Sequence, residues 1–88
     1  MTRAAIVTGG TGLVGEEIAT RFIQNGDRVI ITSREYETAS ELCSSKNAEC
    51  ETARWIPLEL NLKDPDSIRK AVETLHDADA EISYIVAN

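Results

Sequence analysis

Ala4-Ala5-Ile6-Val7-Thr8-Gly9-Gly10-Thr11-Gly12-Leu13-Val14-Gly15 is the stretch whose reading decides the fold. Its first part is an unbroken run, Ala4–Thr8, of the kind found in a parallel strand covered on both faces. Glycines at 9, 10, 12 and 15 follow, and a helical apolar pattern begins at Val14. The spacing therefore predicts a short buried strand, a glycine-rich turn and the first turn of a helix. Glycine lets a backbone turn tightly and approach a ligand with no Cβ in the way. The free N–H groups and the positive end of the helix then face an anion, which is the geometry a pyrophosphate requires. A Gly-x-x-Gly-x-x-Gly string is a weak signal by itself. Its place after an apolar strand and before an amphipathic helix supplies the context that the motif needs.

Working outward, Val14, Ile18 and Phe22, with Ala19 and Ile23, recur as one face of a helix. Asn25-Gly26 ends it with residues tolerant of a left-handed cap. Val29-Ile30-Ile31 reads as a second buried strand, and Thr38–Lys46 as a helix with Ala39, Leu42 and Cys43 on one side. Trp55–Leu60 reads as a third strand. Pro57 lies inside it, and because proline cannot donate to a ladder this strand is expected at a sheet edge or to end there. Asp64-Pro65 starts a helix, with Asp as N-cap and Pro at the first helical position. Ile68, Ala71, Val72 and Leu75 line its apolar face, and His76 near its end reads as a surface residue. Ile82–Val86 is a fourth strand.

Strands alternating with helices imply an α/β fold with a parallel sheet between helices. Right-handed crossovers in a doubly wound sheet give the strand order 3-2-1-4. The expectation is thus a Rossmann-like three-layer sandwich, a four-stranded parallel sheet with helices on both faces, forming one domain over residues 1–88.

Composition narrows the function classes. A chain of 88 residues buries roughly 60–65% of its unfolded surface and should have a stability on the order of 5 kcal/mol. A net charge of −6 argues against nucleic acid or an acidic membrane as a partner, while leaving room for one anionic ligand in a local site. No apolar run approaches the ~20 residues of a membrane span. Met1-Thr2-Arg3 leads straight into the first strand without a signal-peptide core, so a cytoplasmic location is expected. Cys43, Cys50 and the single His make no zinc pattern, and the two thiols are expected to be reduced and non-catalytic. No metal site is expected.

With these elements in hand, the chain resembles the N-terminal part of a short-chain dehydrogenase/reductase over essentially its whole length. Thr8-Gly9-Gly10-Thr11-Gly12-Leu13-Val14-Gly15 looks like the family's cofactor turn. Thr32-Ser33-Arg34 stands at the end of strand two, Leu60-Asn61-Leu62-Lys63-Asp64 matches the segment after strand three, and Ile85-Val86-Ala87-Asn88 looks like the start of the Asn-Ala-Gly motif, cut after its Asn. Two departures stand out. Leu13 occupies the place of the short-form family's middle glycine, with Gly12 one position earlier, a spacing similar to the extended branch. Asn61 replaces the family's adenine-contacting Asp, and its amide can still accept and donate.

The resemblance implies a site. Gly9, Thr11, Gly12, Leu13 and Val14 are expected on the pyrophosphate through backbone groups. Gly15 either joins them or serves close helix-to-sheet packing. Asn61 and Leu62 are expected beside the adenine, and Asn88 beside the cofactor. An acid at the end of strand two would favour NAD and repel a 2′-phosphate, but Ser33 and Arg34 stand there instead. Arg offers a planar fork of donors and Ser a hydroxyl, so NADPH is expected to be preferred over NADH. The alternative is a solvated Arg34 beside Glu35.

The family's catalytic Ser, Tyr and Lys lie beyond strand four. Tyr36 and Tyr84 are followed four residues later by Ser40 and Asn88, so no Tyr-x-x-x-Lys occurs and no catalytic residue is assigned. The sequence reads as the NADP(H)-binding segment of a truncated, separately inactive reductase whose intact relatives reduce a carbonyl, of the 3-oxoacyl-acyl-carrier-protein reductase type. The competing reading is a non-catalytic module that self-associates through the apolar edge Ile82–Val86 as a homo-oligomer.

Overall fold

The computed structural model describes residues 3–9, 12–49, 54–77 and 81–86. Seven elements alternate along the chain: β1 (Arg3–Val7), α1 (Leu13–Gln24), β2 (Arg28–Ser33), α2 (Tyr36–Ala48), β3 (Trp55–Glu59), α3 (Pro65–Asp77) and β4 (Glu81–Val86). All neighbouring strands pair in parallel, and their order across the sheet is β3-β2-β1-β4, as the crossover rule requires. Pro57 lies opposite Ile31 in the outer strand β3, where its missing N–H interrupts no ladder on the open side.

The core is two apolar clusters, one on each face of the sheet. Val7, Val29, Ile31 and Trp55 meet Ala19 of α1 and Ala39 and Cys43 of α2 on one face. Ala4, Ile30 and Leu58 meet Ala71 of α3 on the other. β2 supplies both faces, with Val29, Ile30 and Ile31 no more than 1% exposed, which explains its continuous apolar sequence.

The ends of the helices are fixed by local chemistry. Gly26, at φ +94°, follows the Asn25 cap of α1; its N–H donates to the Ile23 carbonyl, and the Asp27 N–H donates to that of Phe22. This pair of bonds is a Schellman closure, which needs the left-handed residue that glycine supplies. At α3, the Asp64 carboxylate accepts the Asp66 N–H at 3.0 Å, so Asp64 caps a helix that begins at Pro65. The Asn47 side chain grips both backbone groups of Trp55, accepting its N–H at 3.0 Å and donating to its carbonyl at 2.9 Å. That bidentate clamp ties the end of α2 to the start of edge strand β3.

Three expectations need correction. Helix α2 is longer than Thr38–Lys46, reaching Tyr36 and Ala48, because the turn after β2 is closed by Ser33 and Glu35 rather than by Thr38. On α3 only Ala71 is buried; Val72 is 60% exposed and Ile68 38%. Each helical residue turns the chain by about 100°, so a stripe centred on Ala71 and Leu75 carries Val72 off the sheet. Val14, expected on the buried face of α1, is exposed at its first turn. Strand β4 adds a feature that periodicity does not reveal. Ala4 pairs with Ile82 but Ala5 with Tyr84, so Ser83 is an extra residue in the ladder. The shift sends Ile82 to the α3 side while Tyr84 stacks at 5.2 Å on Phe22 of α1.

Candidate dinucleotide site

The strands end together along one edge of the sheet, and the glycine turn sits there. The Thr8 N–H and hydroxyl both donate to the Val86 carbonyl, at 3.0 and 3.2 Å, which ties the start of the turn to β4. Gly9 follows at φ +65°, a left-handed conformation that favours glycine. The Gly12 N–H donates to the Gly9 carbonyl at 3.2 Å, and the Gly12 carbonyl accepts the Glu16 N–H at 2.9 Å as the first bond of α1. Gly12 is thus the N-cap of the helix, without a side chain to cap it. Among the described residues, a Cβ built there would have one neighbour within 4 Å, the Gly9 carbonyl oxygen at 3.7 Å.

Beside the turn lies an open cavity of about 560 Å³ above the ends of β1, β2 and β3. It is lined by Thr8 and Gly9 after β1, by Thr32, Ser33, Arg34, Glu35 and Thr38 around the end of β2 and the start of α2, and by Leu60 to Lys63 after β3. Both outer turns are braced by side-chain bonds. The Ser33 hydroxyl accepts the Glu35 N–H at 3.1 Å, and Thr38 Oγ1 lies 3.5 Å from a Glu35 carboxylate oxygen. After β3, Asn61 Oδ1 accepts the Lys63 N–H at 3.1 Å, the Asn61 carbonyl accepts the Asp64 N–H, and the Asn61 N–H donates to the Ser67 hydroxyl at 2.8 Å. The Asn61 amide oxygen is therefore engaged in its own turn, and its amide N–H₂ remains the group with donors to offer.

Five of the residues singled out from the sequence meet around this cavity: Gly9, Ser33, Arg34, Asn61 and Leu62. Gly12, Leu13 and Val14 stand next to it on the glycine turn, with Leu13 and Val14 exposed. Gly15 is buried within α1, the placement expected of its packing role. Thr11 and Asn88 lie outside the described residues. Thr8, Thr32, Glu35, Thr38, Leu60 and Lys63 also line the cavity. Thr8, Thr32, Leu60 and Lys63 stand in the motifs quoted from the sequence without a role of their own there, and Glu35 and Thr38 follow the end of β2.

The arrangement suits a nucleotide. Its parts are backbone donors at a helix N-terminus, a glycine turn, and a half-polar cleft at the carboxyl ends of parallel strands next to the point where the strand order reverses. No group of three potential metal ligands occurs among the described residues, nor a helix long and apolar enough to cross a membrane.

Cys43 lies apart, buried between α2 and the sheet, where burial pushes its thiol up from 9.0 to about 11. Ionisation of the unfolded chain begins first, so the stability from keeping this thiol neutral is complete below pH 9.0 and is lost as pH rises toward 11. Denaturant unfolding across that window should show the decline, and a Cys43→Ala variant should flatten it.

Residues 3–88 match the family model described as short chain dehydrogenase. An uncharacterised oxidoreductase of Caenorhabditis elegans is 35% identical over 77 residues, covering 83% of this chain and 23% of that protein. An oxidoreductase of Botryotinia fuckeliana is 30% identical over 88 residues, covering 100% of this chain and 31% of that protein. Among solved structures, menthone neomenthol reductase from Mentha piperita superposes with a TM-score of 0.89 at 24% identity, over 100% of this chain and 31% of that one, a likeness of fold. The chain spans less than a third of the length of each of these relatives.

Proposed function

Because the chain belongs to the short-chain dehydrogenase family, whose members bind nicotinamide dinucleotides, we propose that it holds NADP(H), in preference to NAD(H). The observation that carries this reading is the end of β2. Ser33 and Arg34 stand where an acid would hold ribose hydroxyls, and both line the cavity between the strand ends. Arg34 presents a planar cation to a 2′-phosphate and Ser33 a hydroxyl. Asn61 and Leu62 contact the adenine from the turn after β3. Gly9, Gly12, Leu13 and Val14 face the pyrophosphate and Gly15 lets the helix approach the sheet; the family resemblance adds Thr11 to the pyrophosphate contacts and Asn88 to those of the cofactor. The bound cofactor supplies hydride chemistry. The role of these residues is to bind and orient it.

In the intact protein the reaction proposed is reduction of a carbonyl to an alcohol, with a 3-oxoacyl-acyl-carrier-protein as substrate class. The support is the oxidoreductase family and the sequence resemblance, not a substrate-contacting residue. Arg34→Ala should abolish the preference for NADPH over NADH while leaving NADH affinity nearly unchanged, because Arg34 is exposed and carries no core contact. Titration of both cofactors checks this, and unchanged selectivity would remove the phosphate assignment.

A second reading draws on β4. Among the described residues this strand pairs only with β1, and its Ile85 is 71% exposed and Tyr84 43%. An unpaired apolar edge can add a strand from another copy. Sedimentation should then show association that Ile85→Lys disperses; a concentration-independent monomer would count against it.

A further inference from the structure

We propose that Lys63 is a second determinant of cofactor specificity, reaching the 2′-phosphate from the β3–α3 turn next to the one that carries Arg34. The inference rests on the NADP(H) reading above and extends it to a residue outside the glycine turn and the β2 end. Three observations carry it.

The first is charge. Arg3, Arg21, Lys46 and Arg69 are each paired with a carboxylate. Arg34 and Lys63 make no ion pair among the described residues, and both line the cavity. In a chain of net charge −6, the cavity wall carries two cations against one carboxylate, Glu35. Local excess of that sign is what an anionic ligand selects.

The second is position. Arg34 leaves the β2–α2 turn and Lys63 the β3–α3 turn, at the ends of neighbouring strands joined by the Leu60 N–H bond to the Ser33 carbonyl at 2.8 Å, and both line the same cleft. A phosphate between two cations from separate elements is held at two points, which fixes its place better than either cation alone.

The third is preorganisation. The turn bearing Lys63 is locked by the Asn61 side chain, which accepts the Lys63 N–H, and by the Asp64 N–H bond to the Asn61 carbonyl. The turn bearing Arg34 is locked by the Ser33 hydroxyl on the Glu35 N–H. The carboxylate that lines the cavity, Glu35, lies 3.5 Å from the Thr38 hydroxyl. Both long side chains therefore spring from fixed bases, which lowers the entropy lost on closing over a ligand.

The test uses 2′,5′-ADP and 5′-AMP, fragments that differ by the phosphate in question and need only the cavity described. Affinities for both are measured by calorimetry at low ionic strength, in the parent chain and in Lys63→Ala, Lys63→Arg and Arg34→Ala. The parent should prefer 2′,5′-ADP by about tenfold or more. Lys63→Ala should reduce that preference about fivefold with 5′-AMP affinity unchanged, and Lys63→Arg should restore it, in line with one lost charge-assisted contact. Unchanged 5′-AMP binding also shows that the variant is folded. A parent preference that Arg34→Ala removes and Lys63→Ala does not would overturn the role of Lys63 and leave the NADP(H) reading standing. A parent with no preference between the fragments would overturn both.

Discussion

Gly12→Ala is expected to fold as the parent does and to bind dinucleotide at least tenfold more weakly. The backbone at Gly12, φ −83° and ψ 166°, is one that alanine adopts freely, and among the described residues the added methyl would meet only the Gly9 carbonyl oxygen, at ordinary contact distance. The stability cost is therefore that of an unfavourable N-cap residue, about 1 kcal/mol or less. The methyl crowds no described side chain, so what it obstructs is the ligand above the turn. If that is a pyrophosphate drawn to the first N–H groups of α1, a displaced contact of this charged kind costs on the order of 1.5–3 kcal/mol, or tenfold and more in affinity. Titration alongside thermal unfolding separates the two effects. Full affinity in a folded variant would mean that the turn serves the fold alone.

Ile31→Ala is expected to lower the thermal midpoint steeply, by about 4–8 °C for each kcal/mol lost in a chain of this size. Ile31 is fully buried in β2, where it joins Val7, Val29 and Trp55 beneath α1 and α2. Removing a buried branched side chain costs about 2–5 kcal/mol through lost burial and the cavity left behind. A chain of this length has a total stability on the order of 5 kcal/mol, so the loss consumes much of it. Far-ultraviolet circular dichroism against temperature measures the result. Arg34→Ala, at an exposed position, should show no such loss, which separates the core from the ligand site within one experiment. An Ile31→Ala transition within a few degrees of the parent would contradict the two-cluster account of the core.

The fold was legible because its signals are periodic and local. Four apolar runs separated by helical patterns imply parallel pairing, and the crossover rule then orders the strands, with Pro57 agreeing with an edge position for β3. The glycine turn was legible because left-handed backbone and close approach have few sequence solutions, and Gly9 and Gly26 both adopt positive φ. Features set by tertiary geometry were not legible. The extra residue at Ser83 leaves no mark in composition, yet it decides that Ile82 and Tyr84 face opposite sides of the sheet. The exposure of Val72 depends on how α3 rests on Leu58 and Ile30 rather than on its own periodicity. Asp27, between the α1 cap and β2, is buried, held by the Arg3 guanidinium at 3.5 Å and the Asn25 amide at 3.3 Å, contacts that no local pattern announces. In the site, Arg34 was found because it stands one residue beyond a strand. Glu35, Thr38 and Lys63 drew no role from the sequence because their place in the cavity follows from the turns that carry them, which Ser33 and Asn61 shape through side-chain bonds.

The measurement that tests the central claim most directly is thermal unfolding of the chain with and without NADPH and NADH. Ligand binding to the folded state stabilises it by RT ln(1 + [L]/Kd), roughly 1.4 kcal/mol when ligand is ten times Kd. The account predicts a midpoint that rises with NADPH and rises less, or not at all, with NADH at the same concentration. A cooperative transition that neither cofactor moves would contradict it, leaving a Rossmann-like sheet whose glycine turn and cavity hold no dinucleotide.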